Sequence, residues 1–304
     1  MKPVGKTKIA FIKTDDRVEG VCRAVDLLGV NPVEGKTVFL KPNFNSADPV
    51  PGSTHPDVIR SLVLKLQDMG AQKITLGDRS GMSDTRAVME KIGVFGLADE
   101  LGFDVIVFDE MGADDWVMFD PPGSHWKKGF PFARPALDAD VVVQTCCLKT
   151  HQFGGHFTMS LKNSVGLVAR VLPGGKHNYM NELHMSLQQR KKIAEINTAY
   201  APALIVLDGV EAFTNKGPAK GERVASGVVL AGTDRIAIDA VGVAILRHFG
   251  TTSKVYMVSV FAQAQIARAV ELGLGVDRPE KIELITEDED SAGYAEKIRE
   301  IFLR

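Results

Sequence analysis

LKTHQFGGHFTMSLKNSVGLV, residues 148–168, carries the end of a strand rich in β-branched residues into a glycine-containing loop and then into residues at helical spacing. Strand-to-helix turns of this kind are how an open α/β sheet is built. The strand end and the helix start present unpaired polar groups to one crevice. Lys149, His151, His156, Lys162 and Asn163 fall around this junction, so binding or chemistry is expected there.

On either side, short apolar runs alternate with amphipathic segments. KIAFIK, KTVFLK, KITLGD, DVIVFDE, ADVVVQTCC, ALIVLDG, GVVLAG and KIELITE read as strands. Helices are expected between most of them, including 56–69, 84–93, 158–172, 185–199, 234–248, 259–272 and 291–302. The alternation implies an α/β fold: a mainly parallel sheet with helices on both faces, built as one unit over 1–304 or as two closely packed lobes. Residues 111–136 break the pattern, because WVMFD, PPGS and HWKKGFPFA read as a hairpin around a Pro-Gly turn. Such an excursion either covers a cleft or lies inert on the surface.

The chain has 304 residues, 45% of them hydrophobic, enough for a large core. Its 36 Lys+Arg against 38 Asp+Glu give a net charge of -2, without the basic excess of a nucleic-acid binder. The N-terminal MKPVGKTKIAFIKTD lacks a signal peptide's apolar core, and no apolar run approaches the roughly 20 residues of a membrane span. A cytoplasmic protein with no membrane partner is expected, and the scattered Cys22, Cys146 and Cys147 suit reduced thiols. Nothing in the pattern sets an oligomeric state.

Polar residues follow the strand patterns repeatedly: Lys41 and Asn43, Asp78, Asp109 and Glu110, Lys149 and His151, and Asp208. In a parallel sheet these sit at carboxyl ends, the edge where open α/β proteins bind ligands. Strand ends also meet solvent, where any one polar residue needs no further reason. The convergence singles out Lys149, His151 and Asp208 as catalytic candidates and places Lys41 and Asp78 around the same crevice.

In the helix expected over 158–172, Leu161, Val165, Val168 and Leu172 make the buried stripe and Thr158 is the N-cap. Lys162 then lies beside the positive end of the dipole, which disfavours a cation by about 0.3–1 kcal/mol. An anion held by Lys162, Lys149 and the amides near Ser160, with Lys41 and Asn163 close by, would resolve the conflict; a solvated lysine on an ordinary amphipathic helix is the plain alternative. No glycine precedes Lys162 as in a Walker A loop. Gly166 and Ala169 on the same face would let another element approach.

The same region supports a metal reading. His151, His156, His177 and His184, four of seven histidines, lie within 34 residues, and imidazoles with Asp208 or Glu182 would suit a divalent transition metal such as zinc, nickel or iron. The spacings match no zinc signature, so loop-capping histidines remain the other reading. His55, His125 and His248 read as structural. Asp239, in a helix apolar on almost every face, must be protonated, hydrogen-bonded or paired with a cation. Asp234 reads as a first-turn acid, and the NKGPAKGE loop at 215–222 either closes over an anion or is a surface turn. G-x-S-x-G and G-x-G-x-x-G are absent; LGLG at 272–275 ends a helix instead of opening one.

KPNFNS (41–46), GDRSG (77–81), the 148–168 stretch, His177, His184, LDGVEAFTNKGPAKGE (207–222) and AGTDRIAIDAV (231–241) occur together in one order. In these segments the chain resembles the domain of unknown function 362 family, many of whose members carry a ferredoxin-like cysteine module. No C-x-x-C occurs here, so no iron-sulfur cluster is expected from Cys22, Cys146 and Cys147. The lysine and histidines are also loosely similar to the nickel-dependent lactate racemase family, whose lysine and histidines serve a pincer cofactor. The resulting expectation is an enzyme acting on a small anionic substrate or cofactor, with Lys/His acid-base or metal-assisted chemistry. The alternatives are a redox-associated or ligand-binding protein without catalysis, or a scaffold.

Overall fold

The computed structural model describes residues 6–154 and 156–303. All eight expected strands form: β1 (Thr7–Lys13), β2 (Thr37–Lys41), β3 (Lys73–Asp78), β4 (Asp104–Val107), β7 (Val141–His151), β9 (Pro202–Lys216), β10 (Gly221–Gly232) and β11 (Ile282–Ile285). With β8 (His156–Thr158) folded back on β7, they make one nine-stranded sheet in the order β11-β1-β10-β9-β7-β2-β3-β4. Five of the pairings are parallel, while β10 runs antiparallel to both β1 and β9. The protein is a mixed, mostly parallel α/β fold.

Residue alternation along the strands separates the two faces. Ile9 and Phe11 join the cluster under α9 (Arg235–His248), α11 (Ala264–Glu271) and α12 (Glu289–Phe302). Ala10 and Ile12 join the opposite cluster, against α1 (Arg17–Leu28), α2 (Pro56–Asp68), α3 (Thr85–Ile92) and α4 (Val94–Leu101). Such period-two sorting is what a sheet buried on both sides requires. As its composition implies, α9 is buried from Arg235 through Leu246. Asp234 is its N-cap, one position before the first turn, and accepts from Ile236 N at 2.8 Å and Ala237 N at 3.0 Å. His55 likewise caps α2 through Asp57 N, with Pro56 opening the helix.

The 111–136 excursion contains the antiparallel pair β5 (Trp116–Phe119) and β6 (Phe130–Ala133), followed by the short α5 (Arg134–Asp138). It is not an inert hairpin. Trp126, Phe130 and Phe132 are buried in a third cluster with Phe39 and Phe108, and Trp126 Nε1 donates to Lys192 O at 3.2 Å. Glu195, on α8 (Gln189–Ile196), accepts from His125 N at 2.9 Å and from the Arg268 guanidinium.

The expected helix over 158–172 is the main correction to the sequence reading. Only α6 (Ser160–Asn163) is α-helical; Ser164–Leu167 follow as a 3-10 turn, and Val168 is extended and bridges Phe132. Carbonyls that a longer helix would use are taken by tertiary donors. Arg79 donates to Val165 O at 3.0 Å and Val168 O at 2.7 Å, and Asn197 Nδ2 to Leu161 O at 3.0 Å. Thr158 closes β8 and does not cap the turn. The short α7 (Tyr179–His184) and α10 (Ser253–Tyr256) complete the described helices.

Replacing Asp234 by Ala removes the cap of the central helix and the acceptor for Val276 N at 2.7 Å. Urea denaturation is expected to show a loss of roughly 1–2 kcal/mol, with the cooperative transition retained.

Candidate functional site

From β2 the chain winds outward to β3 and β4, whereas from β7 it winds the other way to β9. The strand order therefore switches between neighbours β2 and β7, and a crevice opens beyond their carboxyl ends. Lys41 ends β2, Asp78 ends β3, and Lys149 lies near the end of β7; all three are buried. They line a small cleft of about 40 Å³ together with Asn43, Arg79, Thr158, Lys162, Asn163 and Gly166.

The ionised groups here are unbalanced. Lys41 Nζ lies 2.8 Å from Asp78 Oδ1 and donates to Pro42 O at 2.6 Å and Asn163 Oδ1 at 3.1 Å. Asp78 also accepts from Phe44 N at 2.8 Å and Arg79 N at 2.7 Å. Lys149 Nζ donates to Asn43 Oδ1 at 2.7 Å and Gly52 O at 2.5 Å, both uncharged. The Arg79 guanidinium is spent on the carbonyls of Val165, Val168 and Ser80. Lys162 Nζ donates no hydrogen bond among the described residues. Among the described residues, four cationic side chains and one carboxylate thus line the cleft, and Thr158 Oγ1 is buried without a partner beside them.

Desolvation and mutual repulsion both act on these cations. Burial, with Lys149 and Arg79 adding to it, lowers the Lys162 pKa to about 7. Burial also lowers those of Lys149 and Lys41, the latter against the pull of Asp78, and brings Arg79 down to about 10. His151 is held well below its usual range by burial first and then by Lys162 and Lys149, so its ring is neutral at pH 7.

Of the residues singled out in the sequence, Lys41, Lys149, Lys162 and Asn163 meet in this cleft. His151 lines the adjoining groove, which shares Asn45, Gly81 and Pro218 with the cleft. Asp208 lines neither: it accepts from Arg17 Nε at 2.9 Å and Val210 N at 3.1 Å. Ser160 offers nothing to an anion. Its amide donates to Asp239 Oδ1 at 2.7 Å and its hydroxyl to Gln144 Oε1 at 2.7 Å, while Leu161 N reaches the same Asp239 carboxylate at 3.3 Å. Asp239 is therefore the internal anion at the start of α6, with burial raising its pKa to about 7 against these donors.

His151 and His184 line the same groove, and His156 and His177 face other partners. His177 pairs with Glu182 at 2.7 Å, and His184 Nδ1 bonds Met180 O at 2.7 Å. His156 takes a left-handed backbone, φ 62°, and faces Gln263, Arg190 and Lys254. The preceding Gly155 lies outside the described residues. Among the described residues no three His, Cys, Asp or Glu side chains come together in a metal-holding arrangement. The four-histidine metal reading does not fit this geometry, because His156 and His177 face other partners and leave His151 and His184 without a third such ligand among the described residues. Cys146 and Cys147 are buried on β7, where desolvation raises both thiols.

Sequence reasoning did not single out Arg79, although it directly follows Asp78 in GDRSG. Its burial depends on carbonyls nearly ninety positions later, a pairing invisible in a linear reading.

Fold and cleft together define an α/β protein with a cation-rich cleft at the switch point of its sheet. The chain belongs to the family described as Domain of unknown function (DUF362), which matches residues 38–244, a span that contains every cleft residue. It is 29% identical over 217 residues to the thylakoid-associated protein sll1697 of Synechocystis sp., covering 70% of this chain and 64% of that protein. The chain thus spans just under two thirds of that relative's length. Among solved structures, the lactate racemase apoprotein from Thermoanaerobacterium thermosaccharolyticum matches with a TM-score of 0.43 at 14% identity, over 76% of this chain and 54% of that one. Among the described residues no helix is long and apolar enough to cross a membrane.

A Cβ added at Gly166 would lie 2.1 Å from Asp78 Oδ1 and 2.7 Å from Lys41 Nζ. Gly166→Ala is expected to force the buried pair apart at a cost of roughly 1–3 kcal/mol, read by thermal melting, whereas Gly96→Ala, inside α4 where the Cβ meets nothing within 4 Å, is expected to leave the melting temperature unchanged or raise it.

Lys162 supplies a second expectation. With its pKa lowered to about 7 in the folded protein, from an unfolded value near 10.5, the folded state binds fewer protons between these values. The penalty for burying Lys162 is therefore complete below pH 7 and fades as the pH rises through that window. Lys162→Met should stabilise the ligand-free protein more at pH 6 than at pH 9.

Proposed function

We propose that the cleft binds the anionic group of a small substrate or cofactor, a carboxylate or phosphate, and that Lys162 is the residue that exchanges a proton there. The observation carrying this reading is the excess of buried cations over one carboxylate in the cleft lining, with the Lys162 ammonium lacking an acceptor among the described residues. Burying like charges beside one another is unfavourable unless something compensates, and a bound anion supplies charge-assisted hydrogen bonds while relieving the repulsion. The helix dipole plays no part in this reading, because α6 has four residues and Asp239 occupies its first amides.

Lysine with a pKa about 7 is a competent acid or base at neutral pH. In this assignment Lys41, Lys149 and Arg79 set the field, Asn43 and Asn163 hold the lysines in place, and neutral His151 stands at the rim as a second proton-transfer candidate. Asp208 holds Arg17 outside the cleft. A purely ligand-binding role shares the same anion site, and turnover separates the two: the enzymatic reading requires a substrate whose conversion is lost in Lys162→Met while its binding is only weakened.

Sulfate, which does not titrate near neutrality, is the cleanest probe. Calorimetric affinity is expected to be constant below pH 7 and to fall by up to about tenfold per pH unit above it, as Lys162 must take up a proton to engage the anion. Asp239 titrates over the same range beneath α6, so the slope must disappear in Lys162→Met and persist in Asp239→Asn. Sulfate binding that is pH-independent, or unchanged in Lys162→Met, would falsify the assignment.

A further inference from the structure

Beside the cleft lies a groove of about 720 Å³ that shares Asn45, Gly81 and Pro218 with it. Its walls include Met82, Phe153 and Leu187, which are 77%, 61% and 97% exposed, together with Pro218 at the boundary of the two spaces. Large apolar side chains converging on a concave surface mark a binding site more than a random scatter would. The same groove is lined by His151, Gln189 and Arg190, whose Nδ1, Nε2 and Nε are buried and have no hydrogen-bond partner among the described residues. Unpartnered buried polar atoms are costly unless a ligand satisfies them.

From this arrangement we infer that the ligand is an amphiphile: an acid whose carboxylate or phosphate enters the cationic cleft and whose apolar body lies along the groove between Phe153 and Leu187. This rests on the anion-binding role proposed above and adds the chemical class of the rest of the molecule. Charge complementarity selects the occupant. The cleft is cationic, the adjoining groove carries apolar walls, and a groove of this volume matches a small molecule. Neutral His151, between the two regions, would meet the segment next to the acid group.

Binding of acetate, butanoate, hexanoate and octanoate, measured by calorimetry at pH 6 beside the matching primary alcohols, tests this. The acids are expected to gain roughly two- to fourfold in affinity per methylene, and the alcohols to bind at least about tenfold more weakly than acids of equal length. Phe153→Ser with Leu187→Ser, at exposed positions where folding is preserved, should flatten the gain with length. Lys162→Met should weaken all the acids while leaving that gain intact. Acids that bind equally at every length overturn the amphiphile and leave the anion site standing. Acids and alcohols that bind equally well overturn the link between groove and cleft, and no binding by any acid overturns both proposals.

Discussion

The Asp239 carboxylate, buried on the central helix α9, accepts the amides of Ser160 and Leu161. That interaction fixes where the chain leaves β8 and turns into α6, and hence where Lys162 stands. Neutralising an internal anion with backbone N–H groups instead of a cation leaves the nearby lysines free of it. Gln265 adds a weaker contact at 3.4 Å, so the carboxylate is held from two other elements without meeting Lys41, Lys149 or Lys162. Were Asp239 paired with one of those lysines, the cleft would lose much of its positive excess.

A second constraint is crowding under the cleft floor. Gly166 lets the Lys41–Asp78 pair pack where any side chain would collide. Arg79 then ties the strand end of β3 to the irregular segment after α6 through carbonyl oxygens, so its charge remains uncompensated by a carboxylate at close range. Two of these buried cations, Lys149 and Arg79, are thus held by uncharged acceptors. Hydrogen bonds offset part of the desolvation of these two groups, and the electrostatic excess persists in the cleft.

The groove and the cleft draw on different parts of the chain. The cleft is built from strand ends and from α6, elements held by the two main cores; the groove is walled by the loop after β3, the β7–β8 turn, and the segment from α7 into α8. Rigid strand ends suit groups whose distances matter for charge and proton transfer, whereas loop residues such as Phe153 and Leu187 can adapt to the shape of an apolar body.

The strands, the two-sided sheet, the hairpin at 111–136 and the convergence of Lys41, Asp78 and Lys149 on one edge were legible in the amino-acid sequence, because they follow from local periodicity and from the direction of parallel strands. Local pattern also marked Asp239 as buried and in need of a partner. Tertiary structure alone decided which partner it took, and with that the fate of the 158–172 pattern. Its helical spacing is real, but Arg79 and Asn197, distant in sequence, claim the carbonyls a longer helix would use. The same holds for the histidines, near one another in the chain: His151 and His184 line one groove, whereas His156, at a positive φ, and His177, paired with Glu182, face other partners. Periodicity reports which face of an element is buried; which polar groups meet is settled by contacts between residues far apart in the chain, and these leave no periodic trace in it.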